Sequence, residues 1–352
     1  GYVVLALDQT GHGYSDPPAF SEGFGGPDAL QYLHTLDMVD TENIGLEGHS
    51  MGGWAVLAAA AAMPDGYRSI VLQGSSTGPP FAADGTPTWP RNLAVVFAQF
   101  DEFAELMWGV TRAQDINQSA KLQTLFGTDG AVLPNTLYGS IDDGSGRMLM
   151  QPPVTHPGNH LSHESFADAL DWFSQTLQGG QDLSPSNQIW FFKEIGTLIA
   201  FIGLVILILG SLRLFLNLEF FNSLVTTRYE AAFTHRTGKW WLLAILSAVL
   251  PVLTFYPLFT WAEALFPPNT WFAQGITNQI VVWALVNAAF AAVIMKLTSS
   301  GITHNAELPG RSLILGCLTV GVAYLAVLVV DVVFTVDFRF WFVGLKAMNL
   351  VQ

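Results

Sequence analysis

A single cysteine in 352 residues rules out an intrachain disulfide. Cys317 lies inside an apolar run, so cysteine carries no information on the compartment. Basic side chains are nearly as scarce at the front of the chain. Residues 1–192 hold 21 acidic and 5 basic side chains. Such a surface disfavours nucleic acid and anionic lipid headgroups as partners. An initiator methionine and a signal peptide are also missing. Gly1 leads at once into an apolar run and Gln352 closes an amphipathic segment, so the expectation is a fragment cut at both ends.

Long uncharged apolar stretches are absent from the first half and abundant in the second. Residues 1–192 mix glycine, proline, charge and short apolar runs, as a globular domain does. Beyond them, stretches of about 20 uncharged apolar residues recur, the length a helix needs to cross a hydrocarbon core. The spans are expected near 195–212, 240–262, 271–295 and 313–330. Trp190, Phe191 and Phe192 form an interfacial belt, Pro251 and Pro257 are kinks, and 331–348 is an interfacial segment or the start of a further span. Arg213, Arg228, Arg236 and Lys239 bound or occupy the first loop, and Lys296 and Arg311 the third. The second has no basic residue, so the first and third loops face the cytoplasm and the acidic domain faces outward. Gln274, Asn278, Gln279 and Asn287 read as interhelical hydrogen-bonding groups. The expected organisation is a globular domain over 1–182, a linker over 183–194 and an all-α transmembrane domain of about four helices over 195–352.

In the first half, strand-like and helix-like runs alternate. GYVVLALD (1–8), NIGLEG (43–48), RSIVLQG (68–74), NLAVVFAQ (92–99) and, more weakly, RMLMQPPVT (147–155) read as strands. PDALQYLHTL opens a helix at Pro27, and the run from Met51 to Met63 is strongly helix-forming. Two helix-like pieces, DEFAELMWGV and SAKLQTLF, lie in the long segment 102–147, a candidate wall for a substrate. HESFADALDWFSQTL is an amphipathic helix with Phe166, Leu170, Phe173 and Leu177 on one face and Ser162 as its N-cap. Alternation of this kind predicts an α/β fold, a doubly wound and mostly parallel sheet. Active sites in such sheets gather at the carboxyl ends of the strands.

At one such end stands Gly48-His49-Ser50-Met51-Gly52. A strand precedes it and a helix follows. That context turns the pattern into a sharp turn with a serine hydroxyl at its apex, and it aims the Met51 amide at a developing oxyanion. A serine nucleophile needs a base, and the base an orienting acid. Asp101 follows a strand at the serine's edge of the sheet, with Glu102 and Glu105 as rivals. THPGNHLSHE offers three bases. His160 is favoured for its Pro-Gly-Asn lead-in, His156 is the alternative, and His163 is third. The three histidines and Glu164 also form a candidate metal set, but Pro157-Gly158 breaks the helical spacing such a set needs. No metal and no cofactor is expected. His49 is expected to pack with its side chain turned away from the Ser50 hydroxyl.

The stretches LALDQTGHGYSD, GLEGHSMGG, VVFAQFDEF and HPGNHLSHESFADALDWF together resemble the α/β-hydrolase superfamily, of the serine esterase, lipase and prolyl-type aminopeptidase kind. The resemblance covers about residues 1–180 and fixes no substrate. It implies Ser50 as nucleophile, Asp101 as acid, His160 as base and Met51 as one oxyanion donor. It also implies that the first strands and the second oxyanion donor of that fold are missing here. The resulting expectation is a membrane-anchored serine hydrolase acting on a small-molecule or peptide ester or amide, with the lipid bilayer as its other partner. Its alternative is a multispanning transporter or sensor whose hydrolase-like domain only binds a ligand. The oligomeric state stays open.

Overall fold

A computed structural model describes residues 2–13, 15–16, 18–225, 237–269, 271–272, 275–298, 308–340 and 343–345. Arg228, Arg236, Gln274 and Lys346 lie outside the described residues. The chain divides into two compact units, Gly1–Ile189 and Trp190–Gln352.

The first unit is built on a four-stranded parallel sheet of β1 (Gly45–His49), β2 (Ser69–Gln73), β3 (Leu93–Val96) and β4 (Arg147–Met150), in that order. Five helices accompany it: α1 (Gly26–Leu33), α2 (Met51–Ala62), α3 (Ala104–Trp108), α4 (Ala120–Phe126) and α5 (His163–Thr176). Side chains alternate across the strands, and the alternation assigns each to a layer. Leu46, Ile70, Leu72, Leu93, Val95 and Leu149 join α2 residues Leu57 and Ala60 and the insert residues Trp108, Ile116, Leu122 and Leu125 in one core. Val71, Ala94, Val96, Met148 and Met150 face the other way, onto Ala169 and Trp172 of α5. Helical cover on both faces explains why β2, β3 and β4 are buried along their whole length.

Two expectations about this unit are corrected. The apolar run at the start of the chain forms no strand. Val3 and Val4 are 76% and 82% exposed, and no strand pairs with this run among the described residues. A β-branched run becomes a strand only where a neighbouring edge bonds it. In α5, the buried face is Ser165, Ala169, Trp172 and Thr176, while Leu170 is exposed. Of the expected face, Phe173 packs against the sheet core and Leu170 does not. The small residues let α5 approach the sheet closely, and the Trp172 Nε1–H donates to the Asn92 carbonyl at 3.2 Å. The expected cap is present, with Ser162 Oγ accepting from the Ser165 amide at 3.1 Å.

Arg147 fastens the insert to the sheet. It is 1% exposed. Its Nε donates to Leu125 O at 3.3 Å, Nη1 to Gly146 O at 2.8 Å and Nη2 to Thr86 O at 3.0 Å. Burial pulls its pKa down to about 10, which still leaves it charged at neutral pH. Arg147→Met is expected to leave buried carbonyls without a donor, at a cost of about 2–4 kcal/mol. A lowered unfolding midpoint, followed by circular dichroism, checks this.

The second unit contains α6 (Trp190–Leu216), α7 (Gly238–Leu265), α8 (Gly275–Thr298) and α9 (Leu308–Phe334). All four are long and apolar enough to cross a membrane, with mean hydropathies of 2.6, 2.2, 2.2 and 2.7. Pro251 and Pro257 lie inside α7. Polar side chains join α7 to α8. Trp283 Nε1 donates to Pro251 O at 3.1 Å, Asn287 Nδ2 to Thr254 Oγ1 at 3.2 Å and Gln279 Nε2 to Phe259 O at 3.4 Å. In apolar surroundings such groups find partners on neighbouring helices. After α9, β5 (Phe338–Phe340) and β6 (Val343–Leu345) form an antiparallel pair.

Candidate active site

The turn after β1 has the geometry that the Gly-His-Ser-Met-Gly motif demands. Ser50 has φ 54° and ψ −118°, a conformation that costs a non-glycine residue about 1–3 kcal/mol. Its amide donates to Gln73 O of the neighbouring strand at 2.8 Å, and its carbonyl accepts from the Gly53 amide at 2.9 Å. A Cβ at Gly48 would run into the Gly52 carbonyl, so the bend closes only with glycine there. Met51 begins α2, and a first-turn amide has no carbonyl of its own helix to bond.

Asp101 and His156 meet past the carboxyl ends of β3 and β4. His156 Nδ1 lies 2.8 Å from Asp101 Oδ2, with the two side chains 8% and 0% exposed. The other carboxylate oxygen, Oδ1, accepts the Phe103 amide at 2.9 Å, and the Phe103 ring meets the imidazole edge-on at 4.7 Å. A carboxylate bonded to Nδ1–H fixes the tautomer and leaves Nε2 as the basic nitrogen.

Strand register produces this encounter. Parallel pairing of β3 with β4 sets Leu93 beside Arg147 and Val96 beside Met150. Beyond the strands it continues through Gln99 N to Pro152 O at 2.9 Å and Phe100 N to Val154 O at 3.1 Å. A last bridge joins Phe100 to Thr155. Asp101 and His156 are the next residue on each arm.

The histidine favoured from sequence, His160, is exposed and sits in a short 3-10 helix, Pro157–Leu161, that follows the pair. His163 is exposed at the start of α5. Glu102, a rival for the acid, instead accepts the His156 amide through Oε2 at 3.0 Å. Ser50 and Asp101 stand at the same edge of the sheet, but no hydrogen bond runs from Ser50 Oγ to a histidine among the described residues. Such bonds commonly tighten only when substrate binds. No cluster of three or more metal-ligating side chains is found among the described residues.

Two residues near the site escaped sequence reasoning. Gly74, with φ +50°, follows β2 and passes beneath the imidazoles. A Cβ there would come within 3.0 Å of His156 Nδ1 and 3.1 Å of His49 Nε2. His49 was expected to turn away and pack. Its ring does pack, against two others, with centroids 4.6 Å from His156 and 4.1 Å from His160. Burial, with the two neighbouring histidines, pushes its pKa down to about 3, so it is neutral at physiological pH.

A family model for the alpha/beta hydrolase fold matches residues 1–188, and the chain belongs to that family. Curated relatives match part of it at low identity. A 2-hydroxy-6-oxononadienedioate/2-hydroxy-6-oxononatrienedioate hydrolase of Paraburkholderia xenovorans is 29% identical over 137 residues, 39% of this chain and 43% of that protein. The enzyme of the same description from Dechloromonas aromatica is 28% identical over 138 residues, again 39% and 43%. One from Pseudomonas putida is 28% identical over 138 residues, 39% and 44%. The chain thus spans a little over two fifths of the length of the curated relatives it matches. No solved structure matches it.

Proposed function

We propose that the chain is a membrane-anchored serine hydrolase that opens an ester or amide through an acyl-enzyme on Ser50. The observation that carries this reading is the buried Asp101–His156 pair, at the same sheet edge as a serine in a strained turn. His156 takes the role for which its Pro-Gly-Asn lead-in favoured His160. Its Nε2 accepts the Ser50 hydroxyl proton as Oγ attacks the substrate carbonyl. The Met51 amide donates to the oxygen that becomes negative. His156 then passes its proton to the leaving group, and water releases the acyl chain by the same route in reverse. Asp101 holds the ring through its bond to Nδ1.

The four membrane-spanning helices retain the hydrolase unit at a bilayer. Arg213, Lys239, Lys296 and Arg311 border loops that would face the cytoplasm, leaving the acidic unit outside. The substrate class is open between a small molecule and a peptide. The names of the relatives put a hydroxy-oxo-dienedioate into any substrate panel.

The test is a fluorophosphonate probe applied to the full chain in a lipid nanodisc. Modification of the peptide carrying Ser50 is the expected result. A folded chain that resists the probe and hydrolyses none of a panel of esters, amides and the dienedioate would point to a hydrolase-like unit that only binds.

A further inference from the structure

We propose that His49 is a positioning residue, a neutral clamp that sets the distance between the nucleophile and the base. The inference rests on the serine-hydrolase reading above. His49 Nε2 lies 3.1 Å from the His156 carbonyl oxygen. A carbonyl only accepts, so the Nε2–H of His49 donates. His156 is then held at three points. Its amide donates to Glu102, its Nδ1–H to Asp101, and its carbonyl accepts from His49.

The third hold differs from the other two. Glu102 and Asp101 belong to the arm of chain that follows β3, whereas His49 is the residue immediately before Ser50. A single peptide bond and one hydrogen bond therefore link nucleophile to base. Misplacement of a catalytic group by about 1 Å can cost about 10²-fold in rate, which gives such a link a purpose. The surroundings suit it. The His49 ring is sandwiched by His156 and His160, and Gly74 leaves it room where a Cβ would come within 3.1 Å of Nε2. Its neutrality also matters. A cation this close would oppose the imidazolium that forms on His156 in each cycle.

Three substitutions separate the clamp from mere packing. In His49→Gln, the amide nitrogen reaches as far from Cα as Nε2 does and can donate. In His49→Asn the donor stops one carbon short, and in His49→Phe bulk is kept but the donor is lost. The full chain in nanodiscs is treated with a fluorophosphonate, and the inactivation step and the probe's apparent affinity are measured separately. The inactivation step is expected to slow about 10²-fold in His49→Phe and His49→Asn, with apparent affinity within about threefold and an unchanged melting profile. His49→Gln is expected to stay within about threefold of wild type. Hydrogen exchange in the 155–162 segment should rise in the first two variants and not in the third. Wild-type rates and exchange in His49→Asn would overturn the clamp, as would a His49→Gln protein as slow as His49→Asn. If His49→Phe does not fold, the Gln and Asn pair decides alone. If wild type resists the probe, the serine-hydrolase reading fails, while exchange in 155–162 still reports whether the clamp exists.

Discussion

Ser50→Ala is expected to abolish covalent labelling by a fluorophosphonate and to lower hydrolysis by about 10³-fold or more. Loss on this scale distinguishes a nucleophile from a serine that only shapes the turn. Alanine accepts the φ of 54° at Ser50 no better and no worse than serine does, and the Ser50 side chain caps no helix amide. The substitution therefore removes the hydroxyl while leaving the bend and its amide bond to Gln73 in place. An unchanged melting profile with lost labelling is the outcome that supports the acyl-enzyme. Labelling that persists at another residue would move the chemistry elsewhere. Ser15→Ala is the matched control. That hydroxyl donates to the Asp8 carbonyl at 2.6 Å within the glycine-rich loop, and its removal should leave labelling intact.

The second large effect lies in the contrast between two histidines four residues apart. His156→Ala is expected to depress turnover by about 10³- to 10⁴-fold, and Asp101→Asn by about 10⁴-fold, since an asparagine that donates rather than accepts would favour the wrong tautomer. His160→Ala should cost less than about tenfold, because the exposed ring holds neither the carboxylate nor, in this reading, the proton. Rates with a chromogenic short-chain ester, measured for all three variants beside wild type, check the set. A loss in His160→Ala equal to that in His156→Ala would reinstate the base favoured by the Pro-Gly-Asn lead-in. Combining Asp101→Asn with His156→Ala should add little to either alone, since residues that act as a unit do not contribute additively.

Much of the fold was legible in the sequence. Alternating apolar runs located all four strands of the sheet, and the flanking glycines of the elbow located Ser50, because both signals are local. The place of Asp101 just past a strand was legible in the same way. The pairing of His156 rather than His160 with Asp101 was not legible, because loop flexibility, the ground for favouring His160, says little about what lies alongside. Run length would have been the better guide. Asp101 stands eight residues after Leu93 and His156 nine after Arg147, so two parallel arms of nearly equal length end together. The partners on which His49 packs were not legible for a related reason. The direction of a side chain next to a sharp turn depends on the loops that arrive from distant sequence, here the residues around 156. The opening run 1–8 misled in the opposite sense. Its composition favours a strand, but pairing requires a neighbour, and propensity contains no information about one. In the second unit, hydropathy placed all four long helices, whereas the closing β5–β6 pair left no readable periodicity.

The bridge between Phe100 and Thr155 carries a consequence for how this site can be lost or transplanted. Each arm acts as a spacer of fixed count, so Gln151 to Val154 matter through their number more than their identity. Point changes among them leave acid and base in step. An inserted or deleted residue in one spacer would turn the imidazole away from its carboxylate while every conserved-looking letter of the motif survived. A chain of this family could thus fall silent without losing one of its signature residues.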